Sequence, residues 1–201
     1  MKQEKRMAGS YEIKLGIHIG DKEIVYGEDT NPKSDAPYIV GDYTRNELFE
    51  QYDNVKGSKD YLEIMDLFIS RIKNQIDMVK EAQQQVAVSR EPITNEHCYP
   101  NDLDKSIENM VVALKASSLR PEYRSADNQL VLVTGGFGAY GNSRGRAVYT
   151  KTLYDGSESR WNREDIQGVV KEEHIPEWAK EKLQQMQTQN EEHIADPDLN
   201  M

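Results

Sequence analysis

The sequence predicts an α+β fold: an N-terminal β-hairpin with a long amphipathic helix, then a C-terminal antiparallel sheet closed by a helix. Three observations carry this. A period-two run lies near the N-terminus, a long stripe of helical period follows it, and short β-branched runs separated by turn residues return after residue 128.

In the first run Tyr11, Ile13, Leu15, Ile17 and Ile19 alternate with Glu12, Lys14, Gly16 and His18, the pattern of a half-buried strand. Gly20-Asp21 turns the chain into a second strand over Glu23 to Tyr26. Glu28 to Pro37 is a loop, broken by Asn31-Pro32 and Ala36-Pro37. Thr44 followed by Glu47 forms a capping box, predicting a short helix that carries Leu48, Phe49 and Tyr52. The strongest periodicity comes next: Ser58 caps a helix to about Gln85, with Tyr61, Met65, Phe68, Ile72, Ile76 and Val79 on one face, widened by Leu62 and Ile69.

A polar linker reaches Pro100, and a second helix is expected from about Asp102 to Ser117, presenting Leu103, Ile107, Met110, Val111 and Leu114. Three strands follow, at Gln129 to Thr134, Ala147 to Tyr154 and Glu158 to Trp161, the last two joined by an Asp155-Gly156 hairpin turn. Pro176 opens a closing helix with Trp178, Leu183 and Met186 on one side. The elements group into a hairpin-plus-helix module over 11–85, a helix-plus-sheet module over 101–187 and a disordered acidic tail over 188–201. Whether the two modules form one domain or two turns on the linker between them.

Hydrophobic residues make up 37% of the chain and the mean hydropathy is -0.81, a thin apolar core under much polar surface. No apolar run approaches the roughly 18 residues of a membrane span, and the basic opening is not followed by the apolar stretch of a signal peptide. The lone cysteine, Cys98, fits a reducing compartment, so a cytoplasmic location is expected.

The net charge of -10 argues against ordinary nucleic-acid binding, which needs clustered Lys and Arg to displace counterions. The charge is also uneven: net -7 from Asp21 to Asp66 and +4 from Lys115 to Lys151. Glu28, Asp29, Asp35 and Asp42 lie in or beside the proline-containing loop, where exposure and binding concentrate. They are the expected contacts to a basic groove on a macromolecular partner. Arg144, Arg146, Arg160 and Trp161, on the basic strands, are the expected second contact surface.

One motif looks like chemistry. Gly136, Gly138 and Gly141 spell a G-x-G-x-x-G directly after a strand, similar to the opening of short-chain dehydrogenases and nucleotide-sugar epimerases. The fingerprint requires a helix whose N-terminus receives the pyrophosphate within a βαβ unit. Here a strand and a hairpin turn follow instead. The expected role is a glycine-rich connection between antiparallel strands. The alternatives are an anion nest completed by Arg144 and Arg146, and a nucleotide-binding accessory enzyme built on Gly135 to Gly141. His97-Cys98 has no further ligands at zinc spacing; His18, His174 and His193 have no evident nucleophile. No cofactor, metal site or catalytic residue is expected. Trp161 and Trp178 are either core anchors or interface anchors.

The TGGFG loop, Gly145-Arg146-Ala147-Val148-Tyr149, the Tyr154-Asp155-Gly156 turn, Arg160-Trp161-Asn162-Arg163 and Ile175-Pro176-Glu177-Trp178-Ala179 together resemble a domain of unknown function. That domain occurs in mobile elements and phages of gut Firmicutes. The resemblance covers less than a third of the chain and transfers no catalytic residues. It implies a bacterial-host context in which small acidic proteins disarm defence systems, and the chain is similar in kind to anti-CRISPR inhibitors of the type II RNA-guided nuclease. The expected function is therefore non-enzymatic inhibition of that nuclease by blocking target-DNA engagement, with indirect contact to guide RNA or target DNA. A structural interaction module of a mobile element, contacting another protein through the long helix, is the remaining alternative.

Overall fold

A computed structural model describes residues 5–31, 33–45 and 50–195, with side chains described through Thr188. The fold is α+β, and the chain divides into two compact units, Met1–Val86 and Ala87–Met201.

The first unit is a five-stranded antiparallel meander: β1 (Met7–Ala8), β2 (Tyr11–Ile19), β3 (Lys22–Asp29), β4 (Tyr38–Arg45) and β5 (Glu50–Ser58), paired in chain order. The expected hairpin is thus two strands of a larger sheet. Gly20, at φ 65°, makes its turn. A register shift between Ile13 and Leu15 disturbs the alternation of β2, and Leu15 and Ile17 end up exposed. Burial concentrates on the central strands, where Ile24, Tyr26 and Val40 pack beneath Ile64 and Phe68 of α1 (Tyr61–Gln84).

The opposite face of the sheet carries Arg6. The Arg6 guanidinium stacks 3.9 Å over the Tyr43 ring, donates from Nε to the Tyr52 hydroxyl at 3.0 Å and from Nη1 to both Glu23 oxygens at 2.9 and 3.0 Å. One side chain thereby ties β3, β4 and β5 together.

Two sequence expectations in this unit are corrected. No helix starts at Thr44: Thr44 lies in β4 and Tyr52 in β5, while Glu47, Leu48 and Phe49 fall outside the described residues. The cap of α1 is Asp60, whose Oδ1 accepts from the Leu62 and Glu63 amides at 2.8 and 3.3 Å; Ser58 ends β5. The helix face seated on the sheet is Ile64, Phe68 and Gln75, with Met65, Leu67 and Ile72 packed beside them. Tyr61, Leu62 and Ile69 stay exposed, because the sheet contacts only one edge of the wide apolar stripe.

The second unit holds a six-stranded antiparallel sheet in the order β10-β9-β8-β7-β11-β6. Its strands are β6 (Cys98–Pro100), β7 (Val111–Leu114), β8 (Leu130–Gly135), β9 (Ala147–Thr152), β10 (Glu158–Asn162) and β11 (Ile166–Val170); a short α2 (Ala126–Gln129) precedes β8. The expected helix from Asp102 to Ser117 is absent: turns occupy 102–110 and β7 follows. Val111-Val112-Ala113-Leu114 is apolar at every position because both of its faces are buried, a run whose period alone does not separate strand from helix. Val111 and Ala113 join one core with Leu130, Leu153, Val170 and Ala179, and Val112 and Leu114 join the other with Val131, Val133, Val148 and Ile166.

The buried Gln129 bridges layers, its amide donating to the Ile93 and Leu114 carbonyls at 3.1 and 3.0 Å while its oxygen accepts from the Ile93 amide at 2.9 Å. Asp155 and Gly156, the latter at φ 74°, turn β9 into β10 as expected. The closing helix α3 (Glu177–Ala195) packs Trp178, Leu183 and Met186 on the first core. It also runs through much of the segment expected to be a disordered tail. Residues 188–195 are helical in backbone, and 196–201 lie outside the described residues. Among the described residues, no helix is long and apolar enough to cross a membrane.

Candidate interaction surface

The glycine-rich segment closes β8 and leads into β9. Gly136 adopts φ 97°, a region that disfavours side chains. A Cβ there would fall against the Ala147 carbonyl, at Gly138 against the Arg146 carbonyl and at Gly141 against the Asp104 carbonyl. All three motif glycines are therefore explained by close approach of the protein's own backbone. The segment after Gly136 is a three-residue 3-10 turn, Phe137–Ala139, and then β9. No helix receives a pyrophosphate there.

Arg163, in the turn after β10, locks this segment. It is only 6% exposed and makes no ion pair among the described residues. Its Nη1 donates to the Gly138 and Ala139 carbonyls at 3.0 and 3.4 Å, and Nη2 to those of Asp102 and Lys105 at 2.7 and 3.0 Å. Nε donates to Asn101 Oδ1 at 2.9 Å. Burial pulls the Arg163 pKa below its ordinary value, opposed by the nearby charge of Asp102. Five hydrogen bonds thus hold two loops in one geometry.

With its carbonyls turned toward Arg163, the segment presents its side chains outward. Phe137 is 75% exposed, and Tyr140 and Tyr149 are also exposed. Tyr140 donates its hydroxyl to Glu108 at 2.9 Å, a hydrogen bond that raises the tyrosine pKa. Tyr149 stands on β9 directly across from Arg160 of β10. Arg144 and Arg160 are exposed and make no ion pair among the described residues, whereas Arg146 pairs with Glu164 at 3.3 Å in full view of solvent. Trp161 points to the other side. It is half-buried on the second core and donates to Ser159 Oγ at 2.9 Å, so it supports the surface from beneath. Trp178 is a core anchor, edge-on to Tyr154 at 6.1 Å.

Of the acidic residues expected in or beside the proline-containing loop, Asp35 lies in it and Glu28 and Asp29 adjoin it, whereas Asp42 lies within β4. Glu28 and Asp29 end β3. Glu28 accepts from the Tyr26 hydroxyl at 2.8 Å, and burial together with that carboxylate raises the tyrosine pKa. Asp29 accepts from the Asn31 amide at 2.8 Å, which lowers its carboxyl pKa. Asp42 lies within β4 and is largely covered, held by Arg71 at 3.2 Å and Asn54 at 2.9 Å beside a cleft of about 370 Å³. Asp35 is exposed and pairs with Lys59 at 3.0 Å.

His97 and His174 meet at 4.8 Å between ring centroids, and His97 Nδ1 accepts from the Thr94 amide at 3.1 Å. The Cys98 thiol is buried, and burial raises its pKa. Among the described residues no group of three or more His, Cys, Asp or Glu gathers into a metal-binding arrangement.

Comparison of the chain with protein-family models, curated proteins and solved structures finds no match.

Proposed function

We propose that the chain is a binding protein that works by occupying a macromolecular partner rather than by catalysis, and that its contact surface is the aromatic and arginine face around the glycine-rich turn. The observation that carries this reading is exposed Phe137 and Tyr140 at the turn that Arg163 fixes, and exposed Tyr149 and Arg160 across from one another on β9 and β10, with Arg144 and Arg160 making no ion pair among the described residues. Tyrosine, tryptophan and arginine dominate binding hot spots, and a rigid scaffold lowers the entropy lost on docking. The loop positions that carry rings also suit stacking on unpaired bases, with arginines reaching the backbone.

The partner class that fits both this face and the resemblance is a ribonucleoprotein nuclease of the type II RNA-guided kind. Contact to its guide RNA or to an unpaired target strand would block target-DNA engagement. The overall charge of -10 disfavours free nucleic acid and leaves selectivity to a composite protein and nucleic-acid surface. An acidic-face mechanism draws less support, because Glu28, Asp29 and Asp42 are engaged within the first unit.

The test is co-purification of the full chain with a guide-loaded type II effector, beside the same effector without guide and free guide RNA alone. Retention on the loaded complex supports the reading, and equal loss from all three baits contradicts the nuclease assignment.

A further inference from the structure

Helix α1 carries a second apolar pattern beside the face that seats it on its sheet. Leu62, Met65, Ile69, Ile72, Ile76 and Val79 step alternately by three and four residues, an a/d heptad seam sustained over the length of the helix. The sheet contact is centred on Ile64, Phe68 and Gln75, and Met65 and Ile72 of the seam pack against the edge of the same core, which leaves Leu62, Ile69, Ile76 and Val79 outside it. Leu62 is 70% and Ile69 58% exposed, while Met65, Ile72, Ile76 and Val79 are half-buried. At about 100° per residue, Leu62, Ile69 and Ile76 lie about a third of a turn from the sheet-facing residues. A second helix would reach them without displacing the sheet. Single exposed apolar residues need no explanation, but a heptad series does.

We infer that this seam is a self-association surface, on which α1 of a second copy of the chain packs antiparallel about a two-fold axis. The sequence is self-complementary in that orientation. Leu62 layers on Val79 of the second copy, Met65 on Ile76 and Ile69 on Ile72, each pair occurring twice by symmetry. The same register sets Asp66 beside Lys73 of the second copy, again twice, so opposite charges flank the seam. A parallel pairing offers no such match. Asp66 is exposed and makes no ion pair among the described residues, while Lys73 pairs with Asp77 of its own helix. A single helix of 24 residues, roughly 36 Å long, offers a small interface, so the dimer is concentration-dependent.

The experiment is sedimentation of the full chain across a concentration series. Wild type should pass from monomer to dimer. Ile69→Glu should raise the dissociation constant about tenfold or more, with circular dichroism and melting temperature unchanged at concentrations where both proteins are monomeric. Asp66→Lys and Lys73→Glu should each weaken the dimer, and the two combined should restore it. Orientation is read from cysteine variants: Leu62→Cys mixed with Val79→Cys should cross-link, and Leu62→Cys by itself should not. A chain that stays monomeric throughout overturns the inference, as does an Ile69→Glu variant that dimerises like wild type. An Ile69→Glu variant that melts below wild type at a concentration where both are monomeric also overturns it, because the seam is then covered within one chain.

Discussion

Arg163 donates from Nη1 to the main-chain carbonyl of Gly138 at 3.0 Å, so a side chain from the turn after β10 fixes the glycine-rich turn after β8. The guanidinium is satisfied by carbonyls and Asn101; of those carbonyls, Ala139 also accepts from the Ile107 amide at 2.8 Å and Asp102 from the Lys105 amide at 3.3 Å. Arg163→Ala should deprive the Gly138 and Lys105 carbonyls of this donor at about 1 to 3 kcal/mol each, a loss of roughly 2 kcal/mol or more. Urea denaturation measures it. Arg163→Lys should recover only part, because one ammonium does not reproduce the planar fork.

Gly136→Ala and Gly138→Ala should both destabilise, the first through its positive φ and both through collision with the backbone carbonyls of 147 and 146. The same packing means that NADH titration should give no saturable fluorescence change with wild type. A saturable response would return the nucleotide-binding alternative to first place.

Phe68→Ala should cost about 3 to 5 kcal/mol, since the ring is buried between α1 and the central strands of the first unit. Chemical denaturation with a probe in that unit reads the loss. A cost below about 1 kcal/mol would mean that the helix is weakly seated.

Acid should destabilise the chain in a defined direction. The Glu12 carboxyl is held below its ordinary pKa by the lysines at 5 and 14, and those of Asp29 and Asp102 by the amides of Asn31 and Asp104. A carboxyl with a lowered folded pKa favours folding above its unfolded pKa, and that contribution is lost as pH falls through the folded value. Melting temperature should accordingly be flat across neutral pH and fall below the ordinary carboxylate range. NMR titration of these three carboxyls should show midpoints below their unfolded values.

Much of the architecture was legible because local signals and burial agree. The hairpin at Gly20, the long helix and the Asp155-Gly156 turn each have their own residue chemistry. What failed has a common cause. The run Val111 to Leu114 is buried on both faces, which erases the period that separates strand from helix, and the 188–195 backbone is helical although its composition is polar. Asp42 illustrates the limit for sites: its neighbours in sequence suggest an exposed loop, but Arg71, far along the chain, covers it. Arg163 and the outward Phe137, Tyr140 and Tyr149 were missed for the same reason, since only tertiary contact decides which aromatics are left outside. The clustered glycines were the available signal, marking where backbone meets backbone.

The central claim is that the aromatic and arginine face is the contact surface. Its most direct test is target-DNA cleavage by a guide-loaded type II effector with increasing amounts of the wild-type chain or of a Phe137→Ala, Tyr149→Ala, Arg160→Glu triple variant. Each substituted side chain is exposed, so the variant should keep the wild-type circular dichroism and melting temperature. Wild type should suppress cleavage at near-stoichiometric amounts, and the variant should need about a hundredfold more, the combined loss expected of two or three hot-spot side chains. Equal suppression by both proteins would place the contact elsewhere, and no suppression by wild type would contradict the proposed function.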